Sequence, residues 1–453
     1  MVARQCDIAI IGAGTAGLKA YKAAIAHGAD VLLIERGEGG STCTRVGCMP
    51  SKLLIAAGRT AHEARQANRF GVRIDGLEID GPAVLARMRR ERDRFVASIL
   101  DEYHAIPAKH RLHGSARFTA PHSLMVGDVA VEAGAIIIAT GGYPIVPDSL
   151  KPVAAIVHTH ETIFEIDTLP TAMAVVGAGP VGLELAQAFA RLGVAVTLLD
   201  EGKTIGGLTD PVAEPVAQAA LGNEIALRLG VTVTAEPMPD GRGLIRWSGA
   251  SEGSVTVDLV LAATGRPPAL DSLDLANAGI ELDDHGTPTF DETTRRSVDS
   301  DIFIAGDANA WRSVLHEAAR GGRIAGTVAA GRAGSRPIPR LTIAFTEPNL
   351  VEVGTPFDKL PADARIGCAT VADNGRARAD GESEGLVRLY GDADGALIGA
   401  TIVATGGEHL GHLVALGIDR GMDVATFADQ PWYHPTVEEM LQSAARDLAG
   451  IEN

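Results

Sequence analysis

Cys43 and Cys48, five positions apart, are the residues best suited to do chemistry in this 453-residue chain. Only two other cysteines occur, Cys6 and Cys368, too few for a disulfide scaffold. A close pair in such a chain points to redox chemistry or to metal binding. Zinc would need further ligands, and the sequence has no second cysteine pair to supply them. Two histidine clusters, His158-Thr159-His160-Glu161 and Glu408-His409 with His412, also lack further ligands at a zinc-like spacing. No metal is expected.

A second set of residues is suited to holding phosphates. Gly12, Gly14 and Gly17 form GAGTAG, and Gly177, Gly179 and Gly182 form GAGPVG. An acidic residue, Glu35 or Asp200, stands 23 positions after the first glycine of each, near the spacing of about 20 found in dinucleotide-binding loops. The first glycine makes the turn, the second admits a pyrophosphate to the backbone, and the third lets helix pack on strand. The helix N-terminus offers unpaired N–H groups and a positive dipole end. The acidic side chain accepts hydrogen bonds from ribose. Two dinucleotides are therefore expected.

Each loop has the elements it needs around it. Asp7–Ile11 and Ala174–Val176 read as buried strands leading into the glycines, followed by a helix and a second strand. The echo extends further, because IIIATGG (Ile136–Gly142) resembles LAATGRP (Leu261–Pro267). These segments nominate Thr140, Gly141 and Gly265 as further nucleotide contacts. The strand Ile302–Ala305 ends in Gly306-Asp307, where the carboxylate suits a sugar-like hydroxyl chain. From about Leu341 the pattern changes to short alternating runs, Leu386–Tyr390 and Leu397–Val403, with helices near His409–Arg420 and Thr436–Leu448. Arg336-Pro337-Ile338-Pro339 reads as a linker. The expected fold class is α/β: two Rossmann-like nucleotide-binding domains plus a C-terminal α+β domain. The boundaries are 1–147 and 271–336 for the first, 148–270 for the second and 337–453 for the third.

Composition agrees. The length suits two or three domains, and 46% apolar residues allow each a core. A formal net charge of −17 argues against nucleic acid or an anionic membrane surface as partner. No apolar run approaches the roughly 18 residues of a spanning helix, and the N-terminal apolar stretch runs at once into a glycine turn rather than a secretory h-region. A reducing cytoplasm is the expected location.

These motifs, in this order, resemble the flavoprotein disulfide reductases, a family that includes dihydrolipoamide dehydrogenase, glutathione reductase and mercuric reductase. The likeness runs over nearly the whole chain. GAGTAG with Glu35 matches the family's FAD motif, and STCTRVGCMPSK (Ser41–Lys52) its redox-disulfide helix. GAGPVGLELA (Gly177–Ala186) matches the nicotinamide motif, and IFIAGDA (Ile302–Ala308) the second FAD motif. YHPTVEE (Tyr433–Glu439) matches the C-terminal acid–base motif. Three departures lie beside the expected active site. Ser41 replaces a glycine, Thr44-Arg45 replaces Leu-Asn or Val-Asn, and Trp432-Tyr433 precedes the histidine where lipoamide enzymes often carry His-Ala.

The resemblance implies FAD and NAD as cofactors and assigns roles. Cys48 would face the flavin, and Cys43 would be the interchange thiol. Residues five apart in a regular helix lie at least about 7.5 Å apart along its axis, whereas a disulfide wants Cα atoms roughly 4.4–6.8 Å apart. The pair can bridge only across a distorted turn, which Gly47 helps to permit. Thr42 would contact the flavin nucleotide, and Lys52 and Glu184 would form an ion pair beside the flavin ring. His434 and Glu439 would be the acid–base pair, delivered from the partner of a homodimer with shared active sites. Pro435 is expected to begin the last helix. Helical spacing alone would nominate Glu438 as readily as Glu439, and the family pattern selects Glu439.

The reaction so implied is a two-electron exchange between NAD(H) and a dithiol/disulfide. Dihydrolipoamide is the leading substrate, because Asp200 suits NAD, the H-P-T-x-x-E motif is present, and no cysteine pair lies near the C-terminus. The partner would be a small disulfide or a lipoyl-bearing protein. The alternatives are a reductase of a glutathione-like or mycothiol-like disulfide, differing at Arg45, Trp432 and Tyr433, and a non-catalytic flavoprotein sensor or complex subunit.

Overall fold

A computed structural model describes residues 3–451. Contacts divide the chain into two compact units, Met1–Pro50 with Arg87–Ile145 and Arg266–Pro337, and Ser51–Ala86 with Val146–Gly265 and Ile338–Asn453.

The first unit is built on a seven-stranded sheet. Its centre, Ala3–Ile11, runs parallel to Val31–Glu35 on one side and to Val129–Ile138 on the other. Ile302–Ile304 adds a further parallel strand beside Val129–Ile138. Their inner stretches, Ile8–Ile11, Val31–Ile34 and Ala135–Ile138, read as unbroken apolar runs because both faces are covered there. Ile8, Ile10 and Leu33 pack under the helices Thr15–Ala26 and Leu315–Ala329, while Ala9, Ile11 and Ile34 pack against Phe118 and Leu124. The two helices touch backbone to backbone. A Cβ on Gly322 would lie 2.0 Å from the Ala16 carbonyl oxygen, and one on Gly326 would lie 2.2 Å from that of Ala20.

The second unit holds two larger sheets and a small one. A five-stranded parallel sheet has the order Ala226–Leu229, Ala195–Asp200, Ala172–Val176, Leu259–Ala262, Val157–His158. A three-stranded antiparallel meander, Val231–Pro237 to Val257, follows. The C-terminal sheet is antiparallel throughout, with Asn349–Gly354 and Leu397–Ala404 near its centre. The helices Gly407–Asp419 and Glu439–Ala449 contribute to its core. The fold class is thus the expected one: two α/β sheets, each carrying a glycine loop, and a C-terminal α+β region. One of the two sheets is parallel throughout, and the other is parallel except for the antiparallel strands Ala116–Ala120 and Ser123–Val126.

Ser51–Ala86 groups with the second unit through contacts of the helix Cys48–Gln66 with the helix Pro180–Arg191. Gly58 lets them close up, since a Cβ there would sit 3.1 Å from the Ala188 carbonyl oxygen. Asp210 ties the nucleotide-type half of this unit to the C-terminal sheet. Its carboxylate is fully buried and accepts from Arg388 Nε and from the Tyr390 hydroxyl, both at 2.6 Å. Burial and that carboxylate push the Tyr390 phenol far above its ordinary range.

One expectation is corrected. The last helix begins at Glu439, not at Pro435. Glu439 is the first helical residue, and its carboxylate reaches back to accept the Thr436 N–H at 3.0 Å. Pro435 lies ahead of the first helical turn rather than in it.

The glycines of Leu315–Ala329 give a direct stability test. Alanine normally stabilises a helix interior by about 1 kcal/mol over glycine, but overpacking costs about 1–3 kcal/mol. Here the obstruction is backbone that cannot swing aside. Gly326→Ala should therefore destabilise the protein by about 1–3 kcal/mol in urea unfolding. A stabilised variant would show that the two helices do not meet as described.

Candidate active site

The cysteine segment is two helices separated by a break. Thr42–Val46 is helical, Gly47 leaves helical geometry with φ −130° and ψ −119°, and Cys48–Gln66 resumes it. The backbone is crowded at the break, because a Cβ on Gly47 would lie 3.1 Å from both Cys43 Cα and the Thr42 carbonyl oxygen. Cys43 is half-buried and Cys48 exposed. Ser41 caps the first helix by accepting the Cys43 N–H at 3.2 Å. Its hydroxyl also meets the Thr15 hydroxyl at 2.7 Å, in the first turn after the glycine loop. Arg45 turns back, donating to Glu38 at 2.7 Å and to the Gly39 carbonyl at 2.8 Å. Thr42 is exposed beside Cys43.

The two glycine loops repeat one geometry. A Cβ on Gly12 would strike the Ala139 carbonyl oxygen at 2.4 Å, and one on Gly177 that of Ala263 at 2.3 Å. Both have φ in the left-handed range, +104° and +116°. Gly17 and Gly182 fit against the Gly12 and Gly177 carbonyls in turn, with virtual contacts of 1.8 and 2.0 Å. The middle glycines differ. Gly14 would meet only the Gly40 carbonyl, at 3.9 Å, and Gly179 nothing within 4 Å. First and third glycines are thus fixed by the protein, while the second faces open space.

Gly14 and Gly179 are also the N-caps of their helices, with no side-chain cap and no acidic residue in the first turn. The acidic partners match as well. Glu35 accepts from the N–H groups of Ala13 (2.6 Å) and Gly37 (2.7 Å), and Asp200 from those of Ala178 (2.5 Å) and Gly202 (2.6 Å).

Thr140 lines a small cleft with Gly12 and Glu35, and its buried hydroxyl has no hydrogen-bond partner among the described residues. Gly141 and Gly265 both have positive φ, +73° and +133°. Open cradles, uncapped helix N-termini and an orphaned hydroxyl fit a phosphate-bearing nucleotide. Asp307 carries a contact that the motifs did not reveal. Arg266 Nη1 lies 2.9 Å from its carboxylate, and Arg266 Nη2 donates to the Gly142 carbonyl at 3.2 Å.

Lys52 and Glu184, far apart in sequence, meet at 2.6 Å. Glu184 is buried, and its other oxygen accepts the Phe345 N–H at 3.0 Å. The Phe345 ring lies under the lysine, 4.2 Å from Nζ to the ring centre. Phe345 carried no sequence signal of its own.

His434 and Glu439 also meet, with Nδ1 3.0 Å from Oε1. The Thr436 N–H and then His434 hold the Glu439 carboxyl below its usual range. It is Glu439, not Glu438, that reaches the ring. His434 is largely exposed, and Tyr433 beside it is 81% exposed. Trp432 turns inward, stacking edge-on against Phe427 and donating to its carbonyl at 3.2 Å. Next to this loop lies a cleft of about 390 Å³, lined by Leu413, Leu416, Met422, Trp432 and Tyr433, with Glu438 its charged member. Among the described residues, no three His, Cys, Asp or Glu side chains come together as a metal site. No helix among them is long and apolar enough to cross a membrane.

Comparison with known proteins agrees with this chemistry. The family model "Pyridine nucleotide-disulphide oxidoreductase" matches residues 6–334, and that family's dimerisation domain matches residues 340–445. A dihydrolipoyl dehydrogenase of Halobacterium salinarum is 30% identical, covering 98% of this chain and 96% of its own. A mercuric reductase of Shigella flexneri is 33% identical, over 97% of this chain and 80% of its own. In structure, LpdA from Mycobacterium tuberculosis has a TM-score of 0.83 at 24% identity, covering 98% of this chain and 99% of that one. RclA from Escherichia coli has a TM-score of 0.81 at 23% identity, over 98% and 99%. The chain belongs to the pyridine nucleotide-disulphide oxidoreductase family, as a flavoprotein oxidoreductase whose cofactors are FAD and NAD(P) and which carries the family's dimerisation domain.

Proposed function

We propose that this protein exchanges two electrons between NAD(H) and a small, apolar dithiol/disulfide, with dihydrolipoamide, free or on a lipoyl-bearing protein, as the leading substrate. The observation that carries this reading is the apolar cleft adjoining the His434–Glu439 pair. An aliphatic disulfide suits such walls, whereas a glutathione-like molecule brings carboxylates that would meet Glu438. One of the three positions at which a reductase for such a molecule would differ is committed elsewhere, and the other two wall the cleft itself. Arg45 is bound to Glu38 and Gly39, and Trp432 packs on Phe427.

In the oxidative direction, one substrate thiolate attacks Cys43, the Cys43–Cys48 bond breaks, and Cys48 leaves as a thiolate. The second substrate thiol then displaces Cys43, giving the cyclic disulfide and two reduced cysteines. His434 takes the proton from the incoming thiol and returns it to the leaving one, with Glu439 orienting its ring. FAD, when bound, would supply the two-electron relay between the cysteine pair and NAD(H). Lys52, held by Glu184, supplies positive charge against the negative charge of reduced flavin. The first glycine loop with Glu35, Thr42, Thr140, Gly141 and Asp307 serves FAD. The second, with Asp200 and Gly265, serves NAD(H). The chain divides functionally into FAD, NAD and dimerisation domains at the boundaries read from the sequence. His434 acts on the cysteines of the partner subunit.

Steady-state assays test the substrate. NADH oxidation should have a clearly higher kcat/KM with lipoamide than with oxidised glutathione or Hg(II). NADH should also outperform NADPH, because Asp200 repels a 2′-phosphate. Preference for glutathione or mercury, or for NADPH, would overturn this assignment.

Mixed dimers test the shared site. Co-expressing Cys48→Ser with His434→Ala gives heterodimers in which one site receives both intact parts. Random pairing should restore about a quarter of wild-type activity. Verified heterodimers no more active than the single variants would mean that each site lies within one chain.

A further inference from the structure

Below the Lys52–Glu184 pair, the helix Pro180–Arg191 continues as a row of buried polar side chains. Glu184, Gln187 and Arg191 follow one another at intervals of three and four, so they share a face. All three turn toward the segment Phe345–Glu347. Gln187 reads both backbone groups of Glu347, accepting its N–H at 2.9 Å and donating to its carbonyl at 2.7 Å. Its second amide hydrogen reaches the Glu224 carboxylate at 2.8 Å. One acceptor and two donors are thus all engaged, and flipping the amide would set donor against donor at the Glu347 N–H. Arg191 fixes the far end, forking onto Glu224 at 2.7 and 2.9 Å and pairing with the Glu347 side chain. Burial pushes the Glu224 carboxyl up, but His62 and Arg191 outweigh it and hold the group at about 2.

The consequence appears two residues earlier in the same segment. With Glu347 clamped, the Phe345 N–H meets Glu184 and the Phe345 ring lies under Lys52. We infer that Gln187 is a positioning residue for Lys52, acting through the Glu347 backbone to hold Phe345 against the Lys52–Glu184 pair. Its amide does for Phe345–Glu347 what a neighbouring strand would do, fixing register. Without it, the Phe345 segment can slide relative to Glu184, and the lysine loses one wall of its site. This inference rests on the proposed role of Lys52 beside the flavin.

The test is a double-mutant cycle on the FAD-loaded enzyme, read by the two-electron midpoint potential of the flavin and its visible spectrum. Lys52→Met should shift the potential to more negative values. Gln187→Met, of similar length without the amide, and Gln187→Ala, which cannot overpack, should each shift it in the same direction. Combined with Lys52→Met, neither should add a further shift. Tyr390→Phe, which removes a buried bond to Asp210 elsewhere in the unit, should lower thermal stability and leave the potential unchanged. An unmoved potential in Lys52→Met would overturn the role of Lys52 itself. A shift in Lys52→Met with none in the Gln187 variants, or additive shifts in the double variants, would overturn only the inference. So would an equal shift in Tyr390→Phe, because the effect would then be general loosening.

Discussion

A regular helix cannot join two cysteines five positions apart, and the break at Gly47 is the constraint around which this site is organised. The axial separation of about 7.5 Å in an unbroken helix exceeds the roughly 4.4–6.8 Å between Cα atoms that a disulfide accepts. Between the two cysteines, Gly47 leaves helical geometry for one residue, close enough to Cys43 that a side chain there would press on its Cα. Such a short helical turn before the break has little stability of its own. Local bonds stabilise it: the Ser41 cap, the Ser41–Thr15 hydroxyl contact, and the Arg45 fork to Glu38 and Gly39. Two of the three departures from the family pattern therefore have structural work in this loop. After the break the helix is anchored differently, by Lys52 on Glu184 and by Gly58 against Ala188.

The chain builds the same glycine-loop geometry twice from the same parts. Neither glycine loop carries a side-chain cap or an acidic first turn, so the helix N–H groups remain available. The acidic residue at the end of the next strand braces the loop by taking one N–H from it and one from two residues beyond itself. Each carboxylate oxygen keeps a further lone pair for a ribose hydroxyl. A protein with net charge −17 can in this way attract phosphates by local backbone dipoles instead of an overall positive field.

Local spacing and long-range contact differed in how legible they were. The glycine loops, their acidic residues and the cysteine interval are short-range patterns, each visible with its physical reason. Lys52 with Glu184 and His434 with Glu439 could be paired only through family motifs, because propensity says nothing about which distant side chains meet. A proline suggests a helix start at Pro435, but the last helix begins at Glu439, whose carboxylate holds the Thr436 N–H ahead of it. Gln187 and Arg191 left a readable trace, two large polar residues on the Glu184 face of an otherwise apolar helix, but their partners Glu224 and Glu347 could not be named without the fold. The same holds for Arg266 on Asp307, and for Arg388 and Tyr390 on Asp210.

The central claim is that Cys43 and Cys48 are unequal, with Cys48 against the flavin and Cys43 facing substrate. Visible spectra of the two serine variants in their FAD-bound, unreduced state test it most directly. The account predicts a long-wavelength absorbance band in Cys43→Ser, where Cys48 is left as a thiolate beside the oxidised flavin, and none in Cys48→Ser. Identical spectra, or the band appearing only in Cys48→Ser, would contradict it.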